Sequence, residues 1–321
     1  MDNDVLKRAL LLACRAPSVH NSQPWRWVIE EATVQLFVDR NRTVPATDHS
    51  GREAITSCGA VLDHFRVAMT AAGWRPNITR FPNPNDPDHL ATIEFSRIAY
   101  VTAAQRNRAE AILRRRTDRL PFERPSYWNF FEPVLRSTVD DTTVMLDVLA
   151  DDQRTRLVEA SQLSEALRRD DSSYHAELEW WTSPFALAQG VPPGALASDS
   201  ERLRVDVGRD FPVRGHQDRR TGIVADWSKI LVLSTPEDTR GDVLRCGEAL
   251  SGVLLECTMA GMATCTLTHL IESRESRDIV RGLIDHRGEP QALIRVGVIP
   301  PMEEFPPPTP RRALDSVVEI R

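Results

Sequence analysis

The apolar positions fall into a few strong periodic runs. Residues 4–15, DVLKRALLLACR, carry apolar side chains at helical spacing. Pro17 stops that run, because proline removes a donor and restrains the residue before it. WRWVIE and TVQLFVD, either side of a short gap at 30–32, are rich in β-formers and predict a hairpin. The stretch SGREAITSCGAVLDHFRVAMTAAGW at 50–74 predicts a long helix, with Gly73 as its C-terminal stop. LATIEF, beyond the loop FPNPNDPDH, predicts a further strand, and a first unit would end near Tyr100.

The same grammar returns near the other end. CGAVLDHFRVAMTAAG at 58–73 aligns without a gap on CGEALSGVLLECTMAG at 246–261, an offset of 188 residues that keeps Cys, Gly, Leu, Thr, Ala and Gly in register. A β-rich segment precedes each helix, VQLFVD and KILVLST, and another follows it, LATIEF and QALIRVGVI. An internal duplication accounts for this pattern; two unrelated buried helices that share small residues are the alternative. Duplication makes the chain a fused pseudo-dimer. Its fold class is then α+β, with two tandem units at 1–103 and 104–321, each a mainly antiparallel sheet covered by helices.

Composition narrows the partners. The 321 residues carry a net charge of −6 without long runs of one sign, so neither a nucleic acid nor a membrane surface has an electrostatic footprint. No apolar stretch is long enough to span a bilayer, and the acidic start reads as an amphipathic helix rather than a signal peptide. Cys14, Cys58, Cys246, Cys257 and Cys265 are odd in number and include no C-x-x-C pair, which argues against a disulfide scaffold or a zinc site and fits the cytoplasm. Cys58 at a helix start could be a nucleophile, but its repeat at Cys246 argues for a small packing residue.

The polar motifs of the two halves are complementary. APSVHNSQPW (16–25) has no counterpart in the second half, while RRRTDRLPF (114–122) and the closing PTPRRALDSVVEI (308–320) have none in the first. Planar guanidinium groups bind phosphate in bidentate fashion, so two converging arginine clusters would make a phosphomonoester pocket. Only Lys7 and Lys229 are lysines, so in this arginine-rich chain a bare Arg run is also what a solvated helix face looks like. A turn that hydrogen-bonds its own backbone is the corresponding plain reading of SVHNSQPW.

APSVHNSQPWRWVIE resembles the A-P-S-x-x-N-x-Q-P-W segment of the FMN-dependent nitroreductase superfamily, and RRRTDRLPF resembles that superfamily's opening R-R-S-x-R-x-F segment. RVGVIPP through PRRALDSVVE is similar to its closing strand and basic phosphate contact. The order, with A-P-S first, together with REAITSCGAVL and HAELEWW, resembles the Acg-like branch known from mycobacteria, in which two nitroreductase units are fused. The resemblance implies one FMN per chain at the junction of the units. It implies that Arg115, Arg116, Thr117 and Arg119, with Arg311 or Arg312, hold the phosphate. Pro17, Ser18 and Asn21 would line the flavin, Asn21 offering a donor and an acceptor to the pyrimidine edge. Thr266 and Thr268 in GMATCTLTHL would lie near flavin N5; His269 beside them is a weaker proton-donor candidate.

The resemblance leaves two functions open. One is an oxidoreductase that takes hydride from NAD(P)H and reduces a small aromatic acceptor such as a nitroaromatic or quinone, the flavin rather than a side chain carrying the chemistry. The other is a non-catalytic FMN store. The segment at about 170–222, rich in Pro and Gly, reads as a lid over the flavin or as a surface excursion packed on the second unit. The fused copies would satisfy the dimer interface within a monomer.

Overall fold

The computed structural model describes residues 2–31, 33–183, 188–212, 217–301 and 306–321. The first half contains α1 (Asn3–Ala13), β1 (Trp25–Glu30), β2 (Thr33–Val38), α2 (Arg52–Ala71), β3 (Trp74–Arg80) and β4 (His89–Arg97). There follow α3 (Ala103–Arg114), α4 (Trp128–Arg136), β5 (Met145–Val148), α5 (Arg154–Arg168), α6 (Ser172–Trp181) and α7 (Asp199–Arg204). The chain closes with β6 (Lys229–Thr235), α8 (Arg240–Met259), β7 (Ala263–Leu267), α9 (His269–Glu272), α10 (Arg274–Arg281), β8 (Glu289–Gly297) and β9 (Val318–Ile320).

Local chemistry sets the helix ends. The Asp2 carboxylate accepts from the Asp4 N–H at the start of α1, and reciprocal capping boxes, Thr102 with Gln105 and Thr239 with Asp242, open α3 and α8. α2 and α8 both run out at a glycine with positive φ, Gly73 at 87° and Gly261 at 74°. These glycines stand in the same register as the sequence repeat.

The sheets form an α+β architecture. One has the order β3-β4-β2-β1-β9, antiparallel from β3 to β1; the other has the order β5-β6-β8-β7 and is antiparallel throughout. Read as β7-β8-β6-β5, the second sheet places the strands before and after its long helix as the first does. Alternation along β6 feeds two cores: Ile230 and Val232 pack towards α5, α9 and α10, whereas Leu231 and Leu233 pack towards α8 and α4. The first sheet packs Trp27, Leu36 and Ile93 with α1 and α2, and α8 adds Val243 and Leu244 to that core.

α2 and α8 cross at their equivalent glycines. A Cβ on Gly59 would stand 2.2 Å from the Leu244 carbonyl oxygen, and one on Gly247 would stand 2.2 Å from the Thr56 carbonyl oxygen. Next to the crossing, buried Ser251 donates to buried Asp63 at 2.6 Å, again a pair from equivalent positions.

Three differences from the sequence reading have physical causes. β3 escapes the hydrophobic pattern because it is an edge strand, half-buried and exposed in alternation and carrying Pro76. β5 is only four residues long and also lies at an edge. The chain's last strand departs from the partition at 103/104: β9 pairs parallel with β1, Trp27 opposite Val318, and Val317 is buried in the first core.

Gly59→Ala or Gly247→Ala should destabilise the protein by about 3 kcal/mol, the upper part of the overpacking range, because backbone must move to admit the methyl group. Denaturant unfolding reads this directly; an unmoved midpoint would refute the close crossing.

Candidate functional site

Between α1 and β1 the chain takes an unusual path. His20, Asn21 and Gln23 adopt positive φ of 47°, 55° and 53°, a conformation that costs non-glycine residues of order 1–3 kcal/mol each. Local and remote bonds hold it. Ser18 Oγ accepts from the Gln23 N–H at 3.1 Å, and Ser57 Oγ on α2 accepts from the Val19 N–H at 3.1 Å. The Asn21 amide donates to the Gly190 and Pro310 carbonyls at 3.0 and 3.1 Å. Gln23 donates to the Ala188 carbonyl at 3.0 Å and accepts from the Arg312 N–H at 2.9 Å. The turn therefore fastens the 170–222 segment and the C-terminal tail to the first half.

A cavity of about 780 Å³ lies at this junction. Pro17, Ser18 and His20 line it from the turn, Glu53 and Ser57 from α2, and Thr117 and Arg119 from the segment after α3. Thr266, Thr268 and His269 close it from β7 and α9, and Leu196, Arg209 and Phe211 cover it from the 170–222 segment. Residues 184–187 and 213–216, parts of the expected lid, lie outside the described residues. A second cavity of about 50 Å³ shares Pro17, Ser18, Thr117 and Arg119 with the first and adds Arg15, Asn21, Arg115, Arg116 and Arg311.

This small cavity is strongly cationic. Arg311 donates to the Cys14, Arg15 and Ala16 carbonyls at 2.9, 3.0 and 3.2 Å, and Arg115 to the Arg15 carbonyl at 3.4 Å. Carbonyls orient these groups without neutralising them. Among the described residues no carboxylate pairs with Arg15, Arg115, Arg116 or Arg311, and Nε of Arg15, Arg115 and Arg116 is buried without a hydrogen-bond partner. Burial and then mutual repulsion push the guanidinium pKa values of Arg115 and Arg311 down. A bound dianion would satisfy both the charge and the orphaned donors.

The opposite wall carries acids. Glu53 is 4% exposed, and neither of its carboxyl oxygens receives a hydrogen bond from a described donor. Glu272 of α9 is ion-paired with Arg209, which also donates to the Tyr174 hydroxyl at 2.9 Å and to Thr268 Oγ1 at 3.3 Å. His269 is 1% exposed and shares a 2.9 Å hydrogen bond with Ser161. Burial, followed by the Arg209 charge, holds its pKa well below the usual imidazole range, so it is neutral.

The structure thus brings Pro17, Ser18, Thr117, Arg119, Thr266 and Thr268 to the large cavity and Arg115, Arg116 and Arg311 to the small one. Two expectations need correction. Both N–H bonds of the Asn21 amide are spent on Gly190 and Pro310, and the residue borders the small cavity, so it has no donor left for a ring edge. Arg312 turns away from both cavities, towards Asp39 at 3.5 Å and the Ser316 carbonyl at 2.7 Å, because neighbouring side chains in an extended tail point to opposite sides. The sequence reading missed Arg15, Glu53, Arg209 and Glu272. Arg15 abuts the A-P-S motif and was within reach of a charge count there; the other three meet only through tertiary folding.

No family model matches the chain. It is 74% identical to an uncharacterized protein of Mycobacterium tuberculosis, over 99% of this chain and 93% of that one. It is 59% identical to the Acg protein of the same organism, provisionally named an NAD(P)H nitroreductase, over 99% of this chain and 96% of that one. Among solved structures, the FMN-dependent nitroreductase NfnB of Mycobacterium smegmatis in complex with NADPH superposes with a TM-score of 0.42 at 14% identity, covering 67% of this chain and 98% of that one. The fold and site define a two-sheet α+β protein with a small arginine-lined cavity that shares Pro17, Ser18, Thr117 and Arg119 with a larger one. The chain belongs to the Acg family of nitroreductase-like proteins.

Inorganic phosphate should raise the thermal midpoint of the ligand-free protein, by about 1.4 kcal/mol of linkage at ten times its dissociation constant. The double variant R115A/R116A should lose that rise. A phosphate response equal to wild type would place the anion elsewhere.

Proposed function

We propose that this chain is an FMN-binding flavoprotein of two repeated nitroreductase-like units, residues 1–103 and 104–321, the second lending β9 to the first sheet, with one FMN at their junction. The observation that carries the reading is the small arginine-lined cavity, without a carboxylate among the described residues, that shares four lining residues with a cavity of about 780 Å³. A phosphomonoester fits the first and a planar ring system fits the second, which is within the size range of cofactor pockets. Arg15, Arg115, Arg116 and Arg311 would hold the phosphate. Pro17, Ser18, Thr117, Arg119, Thr266 and Thr268 would line the remainder. The NAD(P)H nitroreductase name given provisionally to the 59%-identical Acg protein supports the same reaction class.

Bound FMN supplies hydride chemistry, taking two electrons from NAD(P)H and passing them to a nitroaromatic or quinone. The chain's own part is to bind, orient and enclose. Because both cavity walls come from one chain, a monomer is complete, and the free, buried cysteines suit a reducing cytoplasm. Among the described residues no helix is long and apolar enough to cross a membrane.

A second reading, FMN storage without turnover, is favoured by one feature. Arg209 and Phe211 from the 170–222 segment cover the cavity, and the Arg209–Glu272 pair pins that cover down. Anaerobic addition of NADPH or NADH to the FMN-loaded protein separates the two, with dithionite as control. The reductase reading expects the flavin absorbance to bleach with the nicotinamide. Bleaching with dithionite alone would support storage, and failure of the protein to bind FMN would refute both. R115A/R116A should purify with little or no flavin; an unchanged flavin content would refute the phosphate assignment.

A further inference from the structure

Glu53 presents a problem that the flavin reading leaves unsolved. It lies in the first turn of α2, is 4% exposed and lines the large cavity, yet no described donor reaches either carboxyl oxygen. The neighbour that acts on it most strongly, after burial itself, is a second carboxyl group, Glu272. Two neighbouring carboxyl groups in a buried site resist ionising together, so at rest one of them keeps its proton. Arg209 decides which group keeps it. Its guanidinium takes both oxygens of Glu272, and Arg168 stands 3.8 Å from the same carboxylate. Glu272 is thereby the ion.

The other charged groups around Glu53 reinforce this choice. Asp48, from the loop before α2, adds a further negative charge, and Arg209 is the cation facing Glu53 from the 170–222 segment. His20, on the turn, is held neutral by burial and by Arg209 and Arg119, and shares a 3.1 Å hydrogen bond with Thr47 Oγ1. Burial first and the Glu272 charge second push the Glu53 pKa well above the usual carboxylic range. A carboxylic acid is therefore available on the cavity wall where His20 and His269, both neutral, are poor acids.

We propose that Glu53 is the proton donor of this cavity, delivering its proton to a carbonyl or nitro oxygen of the acceptor reduced there. The role rests on the flavin reading above, from which the two electrons and the other hydrogen come. In the step itself the Glu53 O–H bond breaks and a new O–H bond forms on the acceptor. The carboxylate left behind lies beside Arg209, which offsets its charge until solvent returns the proton. The ligand class follows: a planar acceptor with a hydrogen-bond-accepting oxygen, such as a quinone.

Two measurements test this. Infrared difference spectra of the full-length protein at neutral pH, wild type minus E53Q, should contain a deuterium-sensitive band of a protonated carboxylic acid. A flat difference overturns the proposal whether or not FMN binds. The FMN-loaded protein, reduced with dithionite and mixed with menadione, should be reoxidised about 100-fold more slowly in E53Q, the low end of general-acid effects. In wild type the rate should fall as pH rises through the ionisation of Glu53, and in E53Q it should be flat. A wild-type rate in E53Q refutes donation even if the acid is present; a protein that binds no FMN removes the donor role together with the reading it rests on, while the infrared band still reports the acid.

Discussion

The crossing of α2 and α8 at Gly59 and Gly247 is the constraint on which the rest depends. Helix axes come this close only where both side chains are absent, and here each missing Cβ leaves room for a carbonyl of the opposite helix. The two sheets are held by this contact at a fixed relation, with Asp63 and Ser251 adding a buried hydrogen bond beside it. Apolar burial alone would tolerate sliding; two backbone-to-backbone seats do not. The first turns of α2, carrying Glu53 and Ser57, and the β7–α9 segment, carrying Thr266 to His269, therefore face one cavity from different halves of the molecule.

Around that fixed frame the chain is interleaved rather than partitioned. The strained turn at 18–23 spends its amides on carbonyls of Ala188, Gly190 and Pro310, while β9 completes the first sheet. Arginines that would repel one another on any isolated segment are brought together by these ties. Arg311 donates to the carbonyl of Cys14 just past α1, and Arg115 and Arg116 follow α3 on the same small cavity. An anion bound there would relieve that repulsion.

Much of this was legible in the sequence. The repeat at 58–73 and 246–261 located the central helices, and its shared glycines turned out to be the contact itself. The A-P-S/Q-P-W and R-R-R-T-D-R segments do meet at one site, as complementary polar motifs suggested. What sequence could not supply was direction. Whether Arg311 or Arg312 faces the cavity depends on the register in which β9 docks on β1, and whether Asn21 offers its amide to a ligand depends on loops more than 160 residues away. Glu53 and Glu272 are unremarkable as letters, since a carboxyl pair is a property of tertiary approach. Edge strands β3 and β5 lacked a signal because one face of each meets no core.

The position of β9 also bears on how the protein is made. A chain emerging from the ribosome can pack α1, β1 to β4 and α2 early, yet the first sheet still lacks its outer strand and the cationic cavity still lacks Arg311. Both arrive only with residues 311–321. A chain that stops short of residue 311 would thus display an open sheet edge beside β1, of the kind that invites pairing with other chains.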